Sequence, residues 1–373
     1  MSPTDDDLSL FQDSVARYLA RNYDFAERTR ALAAWDEAPM HWGAFAELGW
    51  LGVGMPEAVG GYGGPLDQLA LAEQLGGALV AEPWLPNAAL CAPLLLALDA
   101  EGQAARLCAF VAGDERLALA AWEPGARYDA CHVGTLAERR GAGGWRLDGE
   151  KTLVLGGGQA DTMLTLARTS GETRDTGGLT LFAVPRHAQG VSLRALPTYD
   201  GRTTAQVGMT SVLVDDTARI GSVGGAWPAV ERAIDHATVM LCGEAVGAMA
   251  QALALTQAYL RERRQFGRAI TDNQVVRHRL VDMFVAIEQA RAITEAAAAR
   301  LDDAPAARRR AVSLAKAFVS PAGRRVGEDA VQLHGAIGMT DEYRVGHCYK
   351  RLAAAANLFG DTAWHLARLA VQD

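Results

Sequence analysis

Hydrophobic positions change period twice along the chain. From Asp6 to about Glu115 they recur at three- and four-residue steps, as in Leu8, Phe11, Val15 and Leu19, which puts them on one face of a helix. Breaks fall at Pro39, at Pro56 and in Gly60-Gly61-Tyr62-Gly63-Gly64-Pro65, because glycine and proline adopt or impose backbone angles that a helix cannot use. Between about Leu117 and Ile220 the period is two. Met163-Leu164-Thr165-Leu166-Ala167 and Leu179-Thr180-Leu181-Phe182-Ala183-Val184 alternate, while Asp148-Gly149 and Asp200-Gly201 mark turns. Short strands at this spacing predict an antiparallel barrel or sandwich. From Trp227 the helical period returns in longer runs. Val276, Leu280, Met283, Ile287 and Ala290 form one stripe, and Gly243 and Gly247, four apart, leave room for a second helix to come close. Long apolar-faced helices with short connections predict a four-helix bundle, with a kink or break at Pro321. The chain therefore reads as α+β in three parts: helices over 1–115, a β domain over 116–222 and a helical bundle over 223–373.

Composition narrows the function classes. Of 373 residues, 50% are apolar and 21% charged, which describes a globular chain and excludes a disordered one. A formal charge of −8 argues against nucleic acid as the main partner, since phosphate backbones demand an excess of Lys and Arg. The five cysteines (Cys91, Cys108, Cys131, Cys242, Cys348) are scattered without a CxxC pair, so reduced thiols are expected and a zinc site or disulfide frame is not. The start, Met1 to Asp7, is acidic and lacks the basic-then-apolar order of a signal peptide. Apolar stretches such as 88–98 are too short to span a bilayer. These features predict a cytoplasmic protein with no membrane partner, and the Ala- and Arg-rich style points to a bacterial source.

Two polar turns stand out. Arg263-Arg264-Gln265-Phe266-Gly267, then Asn273-Gln274, reads as a helix end, a tight turn and a new helix that also carries His278 and Asp282. A second turn, Gln332-Leu333-His334-Gly335-Ala336-Ile337-Gly338-Met339, lies about two helices downstream. An arginine offers a planar fork of donors suited to phosphate oxygens, and glycines let a backbone approach a ligand closely. A lone helix end of this kind would be only a solvated terminus. The ordered pair, with the helix–strand–helix sequence around it, resembles the acyl-CoA dehydrogenase family over nearly the whole chain. The resemblance implies an N-terminal helical domain, a central antiparallel β-barrel or sandwich and a C-terminal four-helix bundle. It also implies FAD as cofactor, an acyl-CoA substrate and an electron acceptor such as an electron-transfer flavoprotein. Carried onto this sequence, Arg263, Gln265, Phe266, Gln274, Gln332, Leu333, Gly335 and Gly338 become the cofactor-binding set, reaching the FAD of a neighbouring subunit.

Other family-like segments depart from the pattern. Leu48 to Glu57, with the glycine loop after it, resembles an early family loop and reads as a surface turn. In Ala121-Trp122-Glu123-Pro124-Gly125-Ala126-Arg127-Tyr128-Asp129, Trp122 stands where the family has a flavin-bonding threonine, Arg127 where it has a glycine, and Tyr128 where a serine contacts acyl-CoA. In Gly149-Glu150-Lys151-Thr152-Leu153-Val154-Leu155, Leu153 replaces a tryptophan beside the flavin and Leu155 a threonine near its N5.

The family's proton-abstracting glutamate is missing. Counting without gaps from Arg351 puts Gly360 at its usual place, and the alternative place on the first bundle helix is Ala237. Asp235 matches a substrate-contacting aspartate whose companion arginine is Thr238 here. Two carboxylates stand nearby, Asp361 and Glu244. Asp361 is expected to cap a helix and Glu244 to pair with a basic residue such as Arg263 or with a partner-chain group, while His334 and His365 are expected to be structural or cofactor-adjacent. With Cys242 to Met249 and Leu358 to Asp361, the chain resembles the small subunits of heteromeric acyl-CoA dehydrogenases such as the pimeloyl-CoA enzyme. That implies a base-poor partner completing the FAD site in an α2β2 heterotetramer. The alternatives are a self-sufficient homotetramer with Asp361 or Glu244 as a displaced base, and a FAD-free structural or regulatory subunit.

Overall fold

A computed structural model describes residues 5–33, 39–141, 143–265 and 267–371. Eleven α-helices are assigned among them: α1 (Asp5–Asn22), α2 (Phe25–Ala33), α3 (Trp42–Glu47), α4 (Pro65–Ala78), α5 (Ala92–Asp99), α6 (Ala104–Val111), α7 (Trp227–Glu262), α8 (Gln274–Ala298), α9 (Pro305–His334), α10 (Arg344–Ala355) and α11 (Thr362–Ala370). Between α6 and α7 run β1 (Leu117–Ala120), β2 (Leu136–Arg140), β3 (Gly144–Lys151), β4 (Thr162–Arg168), β5 (Leu179–Pro185), β6 (Val191–Pro197), β7 (Thr203–Asp215) and β8 (Arg219–Ile220). The expected helical, β and helical order is thus present.

Two compact units emerge. The first comprises 1–30, 65–80 and 238–373, and the second 31–64 and 81–237. In the second unit the eight strands form one sheet, ordered β6-β7-β3-β2-β4-β5-β8, with β1 also on β4. Neighbours run antiparallel except at β4, which pairs parallel with β1 and with β2. Its core gathers Trp145, Leu147, Met163, Phe182, Val184, Val207 and Val212. β4 is buried along its whole length and β5 over all but its last residue, so the smaller alternate residues reflect a second covered face and not a wet one.

In the first unit α9 lies against α8, α10 and α11. α9 runs unbroken through Pro321, correcting the expected break; the neighbouring helices hold this 30-residue helix together despite the missing N–H. The Gly243/Gly247 pair meets α4. A Cβ on Gly247 would sit 1.8 Å from the carbonyl oxygen of Glu73, and one on Gly76 2.1 Å from that of Glu244. Both obstacles are backbone, so Gly247→Ala should lower stability by about 1–3 kcal/mol, the usual cost of overpacking. A calorimetric melt checks this, and an unchanged Tm would refute the close crossing.

α7, at 36 residues, is long and apolar enough to cross a membrane, which the sequence reading missed. Its most apolar window is 78% buried within the protein, as for a core helix. All five cysteines are free thiols, with only Cys108 exposed.

Candidate functional site

Each unit carries part of the predicted site. In the first, α7 ends at Glu262 and a small hairpin pairs Arg264-Gln265 with Arg268-Ala269. A 3-10 turn at Ile270–Asp272 then leads into α8 at Gln274. Among the described residues Arg263 is held through its backbone, its N–H on the Tyr259 carbonyl and its own carbonyl accepting from Ile270 N at 3.1 Å. Arg263, Gln265 and Gln274 are all exposed. Phe266 lies outside the described residues. At the second turn Gln332 is exposed and Leu333 half-buried in the last turn of α9.

The two loop glycines have different reasons. Gly335 has φ +68° and open space where a Cβ would be, so it serves the turn and leaves room for a ligand. Gly338 is buried, and a Cβ there would meet His334 Cβ and the Val331 carbonyl at 3.0 Å. Its role is internal packing, where the sequence suggested ligand approach. His334 is 4% exposed, stacks on Tyr259 at 4.6 Å and has Nδ1 2.8 Å from the Ala330 carbonyl. Burial lowers its pKa, so it is neutral near pH 7 and supports the loop from beneath.

The carboxylates settle into structural roles. Asp361 accepts from the N–H of Trp364 at 2.8 Å and caps α11, as expected. Glu244 is 5% exposed and its partner is Arg351, at 3.9 Å, not the predicted Arg263. Arg351 also donates to the Val80 carbonyl at 2.9 Å, so this pair ties α7 and α10 to the end of α4. Gly360 is built as a glycine. Its φ is +116°, and a Cβ would meet Trp364 Cε3 at 2.6 Å and His365 Nε2 at 2.8 Å. His365, fully buried, has Nδ1 3.3 Å from Ser313 Oγ and Nε2 3.2 Å from the Phe359 carbonyl. Burial first, then nearby Lys316 and Arg368, push its pKa down to about 3. Ala237 and Asp235, in the second unit, are 0% and 1% exposed.

The second unit holds a feature the sequence reading missed. Lys151, 0% exposed, donates to Glu123 Oε1 at 2.7 Å and to the Ala121 carbonyl at 3.2 Å. Glu123 also accepts from Gly134 N at 2.7 Å and Thr135 N at 2.9 Å. Thr152 N reaches the Trp122 carbonyl at 2.8 Å. This clasp joins the Trp122–Tyr128 turn, the 133–135 segment and the end of β3. Burial would raise the Glu123 pKa, but Lys151, Thr135 and Gly134 carry it below the usual value; burial lowers that of Lys151 to about 8 against the pull of Glu123. Beside it Arg168, 4% exposed, donates to the carbonyls of Val133, Cys131, Thr173, Asp175, Ser170 and Gly177. The available signal was an acid at the end of the uncharged run 117–122 and a lysine at the start of the uncharged run 152–160.

On the clasped segments Arg127 (φ +52°) and Leu153 (φ +51°) adopt the left-handed conformation, which costs a side-chain-bearing residue about 1–2 kcal/mol. Arg127 occupies the place the resemblance gives to a glycine, so the backbone shape persists without the residue that favours it. Trp122 and Leu155 are 6% and 7% exposed, and Tyr128 is half-buried.

These residues divide into a polar and an apolar contribution. The exposed guanidinium and amides of Arg263, Gln265, Gln274 and Gln332, with the open space at Gly335, suit the pyrophosphate and ribose of FAD. At the positions the resemblance gives to the flavin, only Leu153 presents an exposed apolar side chain, Trp122 and Leu155 are buried, and none of the three carries a hydroxyl.

Comparison with known proteins agrees. Models for the N-terminal, middle and C-terminal domains of acyl-CoA dehydrogenases match residues 5–114, 118–216 and 224–372. The CarC subunit of the caffeyl-CoA reductase–Etf complex of Acetobacterium woodii is 29% identical, over 91% of this chain and 92% of its own. The 3-(aryl)acrylate reductase of Clostridium sporogenes is 26% identical, over 83% and 84%. A crystal structure of an acyl-CoA dehydrogenase from Mycobacterium smegmatis superposes with a TM-score of 0.91 at 26% identity, covering 99% of this chain and 98% of that one. Matched in all three parts by models of one family, the chain belongs to the acyl-CoA dehydrogenase family.

Proposed function

We propose that this chain is the base-poor subunit of a FAD-dependent acyl-CoA dehydrogenase, completing the FAD site of a second, related subunit in an α2β2 assembly. FAD, when bound, supplies hydride exchange with the carbon β to a thioester. The chain's own part is to hold it: Arg263 and Gln274 would take pyrophosphate oxygens, and the Gln332–Gly338 loop would face the adjoining ribose. The observation that carries the reading is the state of the base position. Gly360 is walled by Trp364 and His365, Asp361 is spent on capping α11, and Glu244 is paired with Arg351. None is a carboxylate waiting for a proton.

Some relatives are named as reductases. Desaturation removes a proton from the α-carbon and reduction delivers one, so by microscopic reversibility both need the same group. Losing it costs about 10²–10⁴ in rate. An electron-transfer flavoprotein is the proposed redox partner.

The chain purified alone should show little turnover of acyl-CoA with ferrocenium as acceptor. Adding the co-purifying dehydrogenase-like subunit should raise the rate by about 10² or more. Asp361→Asn should leave that rate and the Tm unchanged, because asparagine caps as well as aspartate. Brisk desaturation by the isolated chain, lost in Asp361→Asn, would replace this proposal with a homomeric enzyme using a displaced base.

A further inference from the structure

We infer that His347 is a pH-sensitive latch between α2 and α10: a proton on its Nδ1 turns a hydrogen bond from Arg28 into repulsion and frees the start of α2. The inference is independent of the function proposed above, because it concerns how the first unit is held together.

Two contacts fix where the proton sits. Arg28 is a permanent donor, and its Nη1 lies 3.1 Å from His347 Nδ1, so Nδ1 accepts. The ring's single N–H is then on Nε2, which lies 2.9 Å from the Asp341 carbonyl and donates to it. The other neutral tautomer would lose both bonds. A doubly protonated ring keeps the bond to Asp341 but presents a donor and a positive charge to Arg28. Arg28 and Phe25 bring the start of α2 to the ring, and Asp341 lies two residues beyond the Gly335–Met339 turn.

The surroundings make that charge hard to absorb. Arg28 is 1% exposed and its Nε donates to the Leu79 carbonyl at 2.9 Å, so the guanidinium is fixed. The ring is half-buried and edge-on to Phe25 at 5.1 Å. On α10, Arg344 and Lys350 add positive charge, while buried Cys348 is a neutral thiol with its pKa pushed up to about 11. The carboxylates of this corner are engaged: Asp341 with Lys350, Asp24 with the Glu27 N–H, Glu27 with Arg30, and Glu244 with Arg351. Burial first, then the charges of Arg28 and Lys350, keep the imidazole below its ordinary 6.5, against the pull of Asp341. The unfolded chain therefore binds this proton more readily. The latch contributes fully above pH 6.5 and its contribution drains away as pH falls through the folded pKa.

Hydrogen exchange read by mass spectrometry on the full-length chain tests this at about pH 7.5 and pH 5, each corrected for the intrinsic exchange rate. In the wild type, protection of peptides covering 25–30 should fall by about tenfold on acidification, as loss of a charge-assisted hydrogen bond predicts. Peptides covering 283–298 of α8, which contain no histidine, should keep theirs. His347→Asn sets an amide oxygen near the place of Nδ1 and has no proton to gain, so its 25–30 peptides should stay protected at both pH values. His347→Phe offers Arg28 no acceptor and should exchange at pH 7.5 as the wild type does at pH 5. No acid loss over 25–30 in the wild type, or an equal loss in His347→Asn, overturns the latch. If His347→Asn fails to fold, the wild type decides alone: a loss confined to 25–30 supports the latch, and one shared with 283–298 overturns it.

Discussion

Gly360→Glu should destabilise the protein and restore no activity, although it puts a glutamate where the family carries its base. The backbone at Gly360, with φ +116°, is open to glycine and strained for any side chain. The new Cβ would begin 2.6 Å from the Trp364 ring and 2.8 Å from His365 Nε2. Neither ring can simply yield. Trp364 packs edge-on to His365 at 4.7 Å and under the Arg368 guanidinium, and His365 is fixed between Ser313 and the Phe359 carbonyl. Below them Lys316, 1% exposed, donates to the Ala355 carbonyl at 2.5 Å and Ser320 Oγ at 3.1 Å. Overpacking and backbone strain together should cost about 2–5 kcal/mol. Differential scanning calorimetry and a ferrocenium assay on the same preparation test this. A Gly360→Glu protein that melts like the wild type and gains 10²-fold in rate would mean that the turn only awaits its glutamate. The proposed division of labour between subunits would then fail.

This corner shows what the sequence could and could not disclose. That no glutamate stands at position 360 is plain from counting. That none would fit depends on Trp364 and His365, four and five residues on, whose approach is set by how α11 enters the bundle. The order of helices and strands was legible because burial imposes periods of 3.6 and 2. The capping role of Asp361 was legible because a cap acts within three residues of its own position. Long-range pairing was not: Glu244 lies 107 positions from Arg351, and only the packing of α7 and α10 selects that arginine over Arg263. Pro321 misled because local propensity predicts a break, while tertiary contacts on α9 hold the helix through it. The conformation of Arg127 was equally hidden, since an arginine in sequence gives no sign of a left-handed backbone.

The Lys151–Glu123 clasp carries the other large expected effect. Lys151→Met should cost about 3–5 kcal/mol, because it strands a half-buried carboxylate whose ammonium partner is gone. Glu123→Gln should cost less. The amide oxygen can still accept from Gly134 or Thr135, and Lys151 can shed its proton more readily, its pKa being already down to about 8 through burial. The double variant should recover part of the loss, so a double-mutant cycle should show coupling of at least about 1 kcal/mol. The pH dependence follows from the two directions of shift. Glu123 titrates lower when folded, so its contribution is complete above the unfolded value of 4.5 and drains away as pH falls through the folded pKa. Lys151 also titrates lower when folded, so between about 8 and 10.5 the unfolded chain binds more protons and stability rises with pH. Lys151→Met should abolish that alkaline rise. Because the clasp holds the turn bearing Tyr128, at the place the resemblance gives to an acyl-CoA contact, and the segment after β3 bearing Leu153, the same variant should weaken acyl-CoA binding even under conditions where it remains folded. Urea titrations at pH 6, 8 and 10, with and without hexanoyl-CoA, measure both effects. An unchanged midpoint at pH 8, or full ligand affinity in a folded Lys151→Met protein, would show that the turn holds its shape without the buried pair.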